Sequence, residues 1–133
     1  MKYLKLFFLG LVILLNSSCK KEIDYAAVIN ALRLGSWKVA YYAEGQTDQT
    51  SQFAGYVFVF NQDGTATAQN GTIVSAGTWM VSNGNYNTEL TLHFDDIGPL
   101  GKLNTSWHVD ELTGGVVVTQ QSHGSADLTL ARI

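Results

Sequence analysis

Three histidines, His93, His108 and His123, are the side chains of this chain best suited to metal binding or proton transfer. A zinc site needs three or four ligands that converge at about 2.0–2.3 Å. His93 lies in the alternating stretch T-E-L-T-L-H-F and His108 follows Trp107, so both are expected to point away from the core. His123 lies in a predicted turn. We therefore expect no metal site.

Two pairs of adjacent carboxylates, Asp95-Asp96 and Asp110-Glu111, flank a predicted loop over residues 95–102. Paired carboxylates can perform acid–base chemistry or bind calcium. Consecutive acids at strand ends are more commonly solvated, and the chain has no Gly-x-Ser-x-Gly elbow, phosphate-binding loop or dinucleotide-binding motif. We therefore expect a protein that is not an enzyme and that binds no cofactor.

Aromatic and aliphatic residues on the predicted strands are the remaining candidates for a binding site. With regular alternation, Trp37, Val39 and Tyr41 share one face of the first strand and Tyr42 lies opposite. These side chains either fill the core of a small barrel or line an open mouth that binds an apolar or sugar-like molecule. The candidate ligand-lining residues are Val39, Tyr41, Phe58, Phe60, Trp79 and Trp107.

Small residues on the third and fourth strands leave room beside these aromatic rings. The loop over residues 44–54, rich in Thr, Gln and Ser, would serve as a lid or rim. The small residues are Ala66, Ala68, Ala76 and Gly77.

The elements that would position these residues are a short helix and a run of strands. Asp24 can cap a helix within residues 24–34, and Gly35 can end it. Beyond Gly35 the pattern has period two, with roughly eight short strands joined mostly by Gly/Asn turns. This pattern is typical of an antiparallel all-β sandwich or barrel. Closing an up-and-down meander removes exposed strand edges, which favours a barrel of roughly eight strands.

The beginning of the chain has the pattern of a secretion signal. Lys2 and Lys5 give a positive start, and the apolar run over residues 6–15 is too short to span a bilayer comfortably. L-N-S-S-C resembles the bacterial lipobox, with Asn16 where Leu is usual. The resemblance implies that Cys19, the single cysteine, is acylated. The alternative is an ordinary signal peptide with an incidental cysteine nearby.

This interpretation divides the chain into a signal peptide (1–18), a tether (19–23) and a barrel domain (24–133). Within residues 35–133, three basic residues stand against nine acidic ones, a net charge near −6. Nucleic acids are bound through clustered cations, so we expect no nucleic-acid partner. The expected partner is the membrane itself, through the acylated Cys19. The oligomeric state is left open.

Several short motifs now carry a family resemblance. Gly35-Ser36-Trp37 after a short helix resembles the Gly-x-Trp signature of lipocalins and their relatives. In that superfamily an Arg near the end of the last strand packs across this Trp, which implies a structural pair of Trp37 and Arg132. F-N-Q-D-G-T at 60–65, G-T-W at 77–79 and W-H-V at 107–109 are similar to small lipocalin-like lipoproteins of the Bacteroidota.

The sequence thus predicts a lipocalin-like barrel that is exported and lipid-anchored to the outer membrane, with exposure on the cell surface left open. The leading hypothesis is non-catalytic binding of a small, partly apolar molecule. The alternative is an interaction or accessory lipoprotein with a filled barrel, which acts through its loops and outer faces.

Overall fold

The computed structural model describes residues 23–84 and 87–133. A helix, α1 (Tyr25–Leu32), comes first. The strands that follow are β1 (Trp37–Glu44), β2 (Thr47–Asp48), β3 (Val57–Phe60), β4 (Thr65–Asn70), β5 (Ile73–Asn83), β6 (Thr88–Phe94), β7 (Ser106–Thr113), β8 (Val116–Gln121) and β9 (Ala126–Arg132).

The strands form one antiparallel sheet that closes on itself. Each strand from β3 to β8 pairs with the next in sequence, and β1 pairs with both β3 and β9. The closing ladder between β1 and β9 runs from Trp37 opposite Arg132 to Glu44 opposite Ala126. The short β2 pairs with the end of β1 only. The predicted fold, an eight-stranded up-and-down antiparallel barrel after a short helix, is confirmed.

Helix α1 is capped and docked as its sequence requires. The Asp24 carboxylate accepts a hydrogen bond from the Ala26 N–H at 3.1 Å, and Val28 and Leu32 are buried against the barrel. The helix ends at Leu32, two residues earlier than predicted. Gly35 then adopts a φ of +72°, which favours glycine and lets the chain turn into β1.

Two stretches predicted as loops contain short 3₁₀-helices. The first 3₁₀-helix is Thr50–Phe53 and the second is Pro99–Leu103. Proline at the first position of the second helix is favourable, because its fixed φ suits a helix start and its missing N–H would have no helical partner there. Both segments turn apolar side chains inward, so they form part of the core.

The alternating direction of the strands gives the barrel two distinct ends. The helix end carries α1, the β3–β4, β5–β6 and β7–β8 turns and the last residues of β9. The loop end carries both 3₁₀-helices and the β4–β5 and β8–β9 turns. Among the described residues, no helix is both long and apolar enough to cross a bilayer. The predicted signal peptide, Cys19 and most of the tether lie outside the described residues.

Candidate functional site

Trp37 and Arg132 meet at the helix end. The Cζ atom of Arg132 lies 4.9 Å from the centroid of the Trp37 ring. Arg132 also donates hydrogen bonds from Nε to the Leu34 carbonyl at 3.0 Å and from Nη2 to the Ala31 carbonyl at 2.9 Å. The Trp37 indole donates to the Leu32 carbonyl at 3.0 Å. The two side chains therefore tie β1 and β9 to the end of α1.

A second tryptophan joins the other end of the barrel to its own covering segment. The Trp107 indole donates to the Leu103 carbonyl at 3.0 Å, and Leu100 and Leu103 are fully buried. Phe53 of the first 3₁₀-helix is buried as well, with its ring centroid 5.0 Å from that of Tyr42. The two 3₁₀-helices thus cover the loop end with apolar side chains.

The interior between these ends is occupied by most of the predicted ligand-lining side chains. Val39, Phe58, Phe60, Trp79 and Trp107 are all buried. The rings of Phe60 and Trp79 pack edge to face at 5.6 Å. Phe58, Phe60 and Trp107 are at most 2% exposed and Val39 and Trp79 at most 8%, and all five belong to one cluster of contacting buried residues. These residues therefore pack against one another as a core.

The room expected beside the small residues is taken up by phenylalanine rings. Ala68 pairs with Phe58, and Gly77 pairs with both Ala66 and Phe94 across neighbouring strands. A Cβ atom added to Gly77 would meet the Phe94 ring at 2.6 Å. The rings of Phe58 and Phe94 pack edge to face at 5.8 Å. The small side chains let large rings lie close to the backbone, and they do not leave a pocket there.

The prediction that Tyr41 lines the interior is wrong. β1 shifts its register against β9 between Val39 and Tyr41, a β-bulge with Ala40 as the extra residue. The bulge reverses the alternation, so Tyr42 is buried and Tyr41 is 42% exposed. Ala76 also lies on the exposed side of its strand.

An open groove lies on the outside of the loop end. Its volume is about 500 Å³, and its lining combines the apolar Ile97 and Pro99 with Gln52, Gly98 and Lys102. Ile97 is fully exposed to solvent. The groove is open to solvent, and its lining offers an apolar contact surface with one cation, Lys102, at its edge.

Lys102 is held beside this groove by a polar network. Its Nζ donates to Gln49 Oε1 at 2.7 Å and lies 3.6 Å from Glu44 Oε1. The Tyr42 hydroxyl donates to Glu44 at 2.9 Å, and this bond, with the charge of Lys102, holds the pKa of the Glu44 carboxyl below its ordinary value. Burial and the nearby Glu44 carboxylate raise the pKa of Tyr42 far above its ordinary value. The network fixes the ammonium group at the groove.

Two of the three histidines each lie beside an aspartate two residues further along the chain. His93 Nε2 lies 3.2 Å from Asp95 Oδ1, and His108 Nε2 lies 3.3 Å from Asp110 Oδ1. His123 is in the exposed turn between β8 and β9. Within residues 23–84 and 87–133, no three His, Cys, Asp or Glu side chains are grouped so that they could hold a metal ion.

The remaining acids of the two carboxylate pairs have their own partners. Asp96 accepts hydrogen bonds from the Ser75 hydroxyl at 3.1 Å and the Gly98 N–H at 2.6 Å. Glu111 accepts one from the Thr113 hydroxyl at 3.1 Å. Asp96 is thus engaged by its own loop and by β5, and Glu111 is engaged within β7.

Ile97 and Lys102 of the groove were not predicted from the sequence, whereas Gln52 lies in the 44–54 loop that was expected to serve as a lid or rim. A signal was present, since Ile97 is an isolated aliphatic residue between Asp96 and a glycine in a stretch with no strand pattern. An apolar side chain in such a loop either docks on the core or remains exposed. In the structure, Ile97 remains exposed.

Comparison with known proteins identifies the architecture. The fold is similar to the crystal structure of a DUF4847 family protein from Bacteroides vulgatus, with a TM-score of 0.56 over 80% of this chain and 97% of that chain and 13% sequence identity. No protein-family model and no curated protein matches the chain. At this identity the likeness concerns the fold alone, and it shows that a Bacteroides protein adopts the same kind of small barrel.

Proposed function

We propose that this protein is a lipid-anchored component of the cell envelope whose packed barrel is a scaffold, and that it binds a partner protein at its loop end without catalysis. One observation carries the proposal: most of the side chains expected to line a ligand cavity form a packed core, whereas an open groove with a fully exposed Ile97 lies outside it.

The anchor part of the proposal rests on the sequence. A positive start, a short apolar run and L-N-S-S-C precede a charged segment, as in outer-membrane lipoproteins. Each buried methylene of an acyl chain contributes about 0.8 kcal/mol, so several chains on Cys19 would hold the protein firmly at the membrane. Changing Cys19→Ser should release the protein into the soluble envelope fraction, and continued retention in the membrane fraction would contradict the anchor.

The shape of the groove favours a protein partner over a small ligand. Small-molecule pockets are concave and cover most of the ligand surface. The loop-end groove is open, so a small molecule in it would remain largely in water. A partner could instead place an apolar side chain against Ile97 and Pro99 and an acceptor group near Lys102, and its remaining surface would exclude the water.

Photo-crosslinking from the groove tests this proposal in the native envelope. With p-benzoylphenylalanine at Ile97, we expect a discrete adduct with one partner protein. The matched control is Ile73, a second strongly exposed isoleucine on β5 outside the groove, which should give no such adduct. Identical adducts from both positions, or none from Ile97, would contradict a binding site in the groove.

A second candidate function is binding of a small, partly apolar molecule in the same groove. The volume of about 500 Å³ favours it, because it lies within the usual range for ligand sites. Native mass spectrometry of the purified protein separates the two functions. A stoichiometric small molecule that Ile97→Asp abolishes would support this second function, and a ligand-free mass would oppose it.

A further inference from the structure

We propose that the helix end of the barrel rests on the lipid surface and that the loop end, with its groove, points away from the membrane. This orientation rests on the proposed acylation of Cys19. Beyond the acyl anchor, the barrel surface itself then contacts lipid headgroups through the residues that surround α1.

The first support is the short reach of the chain between the anchor and the barrel. Cys19 precedes Ile23 by four peptide steps, and each step spans about 3.8 Å, so their Cα atoms lie at most about 15 Å apart. Ile23 is fixed to the helix end, because its carbonyl accepts a hydrogen bond from the Thr88 hydroxyl at 2.7 Å and its side chain packs against the core. An acylated Cys19 would therefore keep the helix end close to the bilayer.

The second support is a pair of exposed aliphatic side chains at this end. Leu34 is 60% exposed and Ile133 is 69% exposed. Hydrogen bonds bring their segments together, since the Arg132 side chain donates from Nε to the Leu34 carbonyl at 3.0 Å and the Ile133 N–H donates to the Ser36 carbonyl at 2.8 Å. Apolar side chains that project beside basic residues suit the boundary between headgroups and acyl chains.

The third support is the distribution of charge between the two ends. At the helix end, the basic Arg33, Lys38 and Arg132 stand against the acidic Asp24, Asp63, Glu89 and Glu111, and Lys20-Lys21-Glu22 precede this end in the sequence. At the loop end, Lys102 is the one basic residue among the described residues, against five acidic ones: Glu44, Asp48, Asp95, Asp96 and Asp127. An anionic lipid surface repels the acidic end more strongly, so electrostatics favours the same orientation.

Site-directed spin labelling of the full acylated protein in vesicles of phosphatidylethanolamine and phosphatidylglycerol tests the orientation. Acylation consumes the thiol of Cys19, so a single introduced cysteine is the only free thiol. A nitroxide on Leu34→Cys should collide with lipid-soluble oxygen several-fold more than with a water-soluble nickel chelate once vesicles are present. The matched label on Ile97→Cys should favour the nickel chelate with and without vesicles.

The result that overturns the orientation is an equal or reversed oxygen-to-nickel ratio at Leu34 relative to Ile97. Ile133→Cys provides a second label at the helix end, whose ratio should follow that of Leu34 if neither substitution disturbs the fold. Flotation of the unlabelled protein with the vesicles separates the two proposals. Failure to float would overturn the anchor together with the orientation, whereas flotation with equal ratios would overturn the orientation alone.

Discussion

The guanidinium group of Arg132 lies over the indole ring of Trp37, 4.9 Å from the ring centroid, and the two residues are register partners on the strands that close the barrel. Arg132 also binds two carbonyl groups at the end of α1, where the last carbonyls of a helix have no partners within the helix. One side chain thus stabilises the closing ladder, the helix end and the indole packing together.

Replacing Arg132 by alanine should lower the melting temperature by several degrees. The cation–π contact contributes about 0.5–2 kcal/mol. A loss of about 1 kcal/mol shifts the melting temperature of a domain of this size by about 4 °C or more. Differential scanning calorimetry measures the change. Arg33→Ala is the control, since Arg33 is a neighbouring but exposed arginine. Equal melting temperatures for both variants would rule out the structural role of Arg132.

The two indole N–H groups should differ in their contribution to stability. In Trp37→Phe, the Leu32 carbonyl at the end of α1 loses its indole donor, at a cost of about 1–3 kcal/mol. In Trp107→Phe, the Leu103 carbonyl still accepts the Thr105 N–H at 2.8 Å. Both changes remove the same atoms, so chemical denaturation should show the larger loss for Trp37→Phe. An equal or reversed order would contradict this assignment.

Adding one methyl group at Gly77 should destabilise the barrel by about 1–3 kcal/mol, as over-packed cores generally do. The new Cβ would press on the backbone carbonyl oxygen of His93 and on the Phe94 ring. Ala76→Ser adds an atom to the exposed side of the same strand and should be nearly neutral. If Gly77→Ala were equally neutral in urea denaturation, the close packing of Gly77 against His93 and Phe94 would be contradicted.

The stability of the loop end should depend on pH through Glu44. Its pKa is lower in the folded protein, because the Tyr42 hydroxyl and Lys102 stabilise the carboxylate. The contribution is therefore complete above the unfolded-state pKa, about 4.3, and is lost as the pH falls through the lower folded-state value. The melting temperatures of wild type and Glu44→Gln should differ at pH 6, and the difference should narrow progressively as the pH falls below the unfolded-state pKa of about 4.3. A gap that stays constant down to pH 3 would contradict the assignment.

The features that the sequence could predict are those set by local patterns. Alternation and turn residues predicted the strands, Asp24 marked the helix start, and the Gly-x-Trp motif with Arg132 pointed to two residues that the fold brings together. The exposure of Tyr41 could not be predicted from the sequence. The β-bulge before it moves every later residue of the strand to the opposite face, and nothing in the residue types of the strand marks the extra residue.

The filled interior and the outer groove could not be read from the chain for a different reason. Whether Phe58 and Phe94 fill a barrel or line it depends on strand register and on how closely their rings approach Ala68 and Gly77. The groove combines Gln52 with residues 97–102, which meet only because two 3₁₀-helices pack across the same barrel end. Both features depend on contacts between residues far apart in the sequence.

The central claim, that the barrel interior is a packed core and that the loop-end groove offers an accessible apolar surface, is tested most directly by NMR with laurate as an apolar probe. We expect shifts of exposed signals, including those of the groove around Ile97, with the methyl groups of the buried Leu90 and Leu128 unchanged at saturating probe. Saturable shifts of the Leu90 and Leu128 methyl groups, with one laurate bound per chain, would contradict the claim.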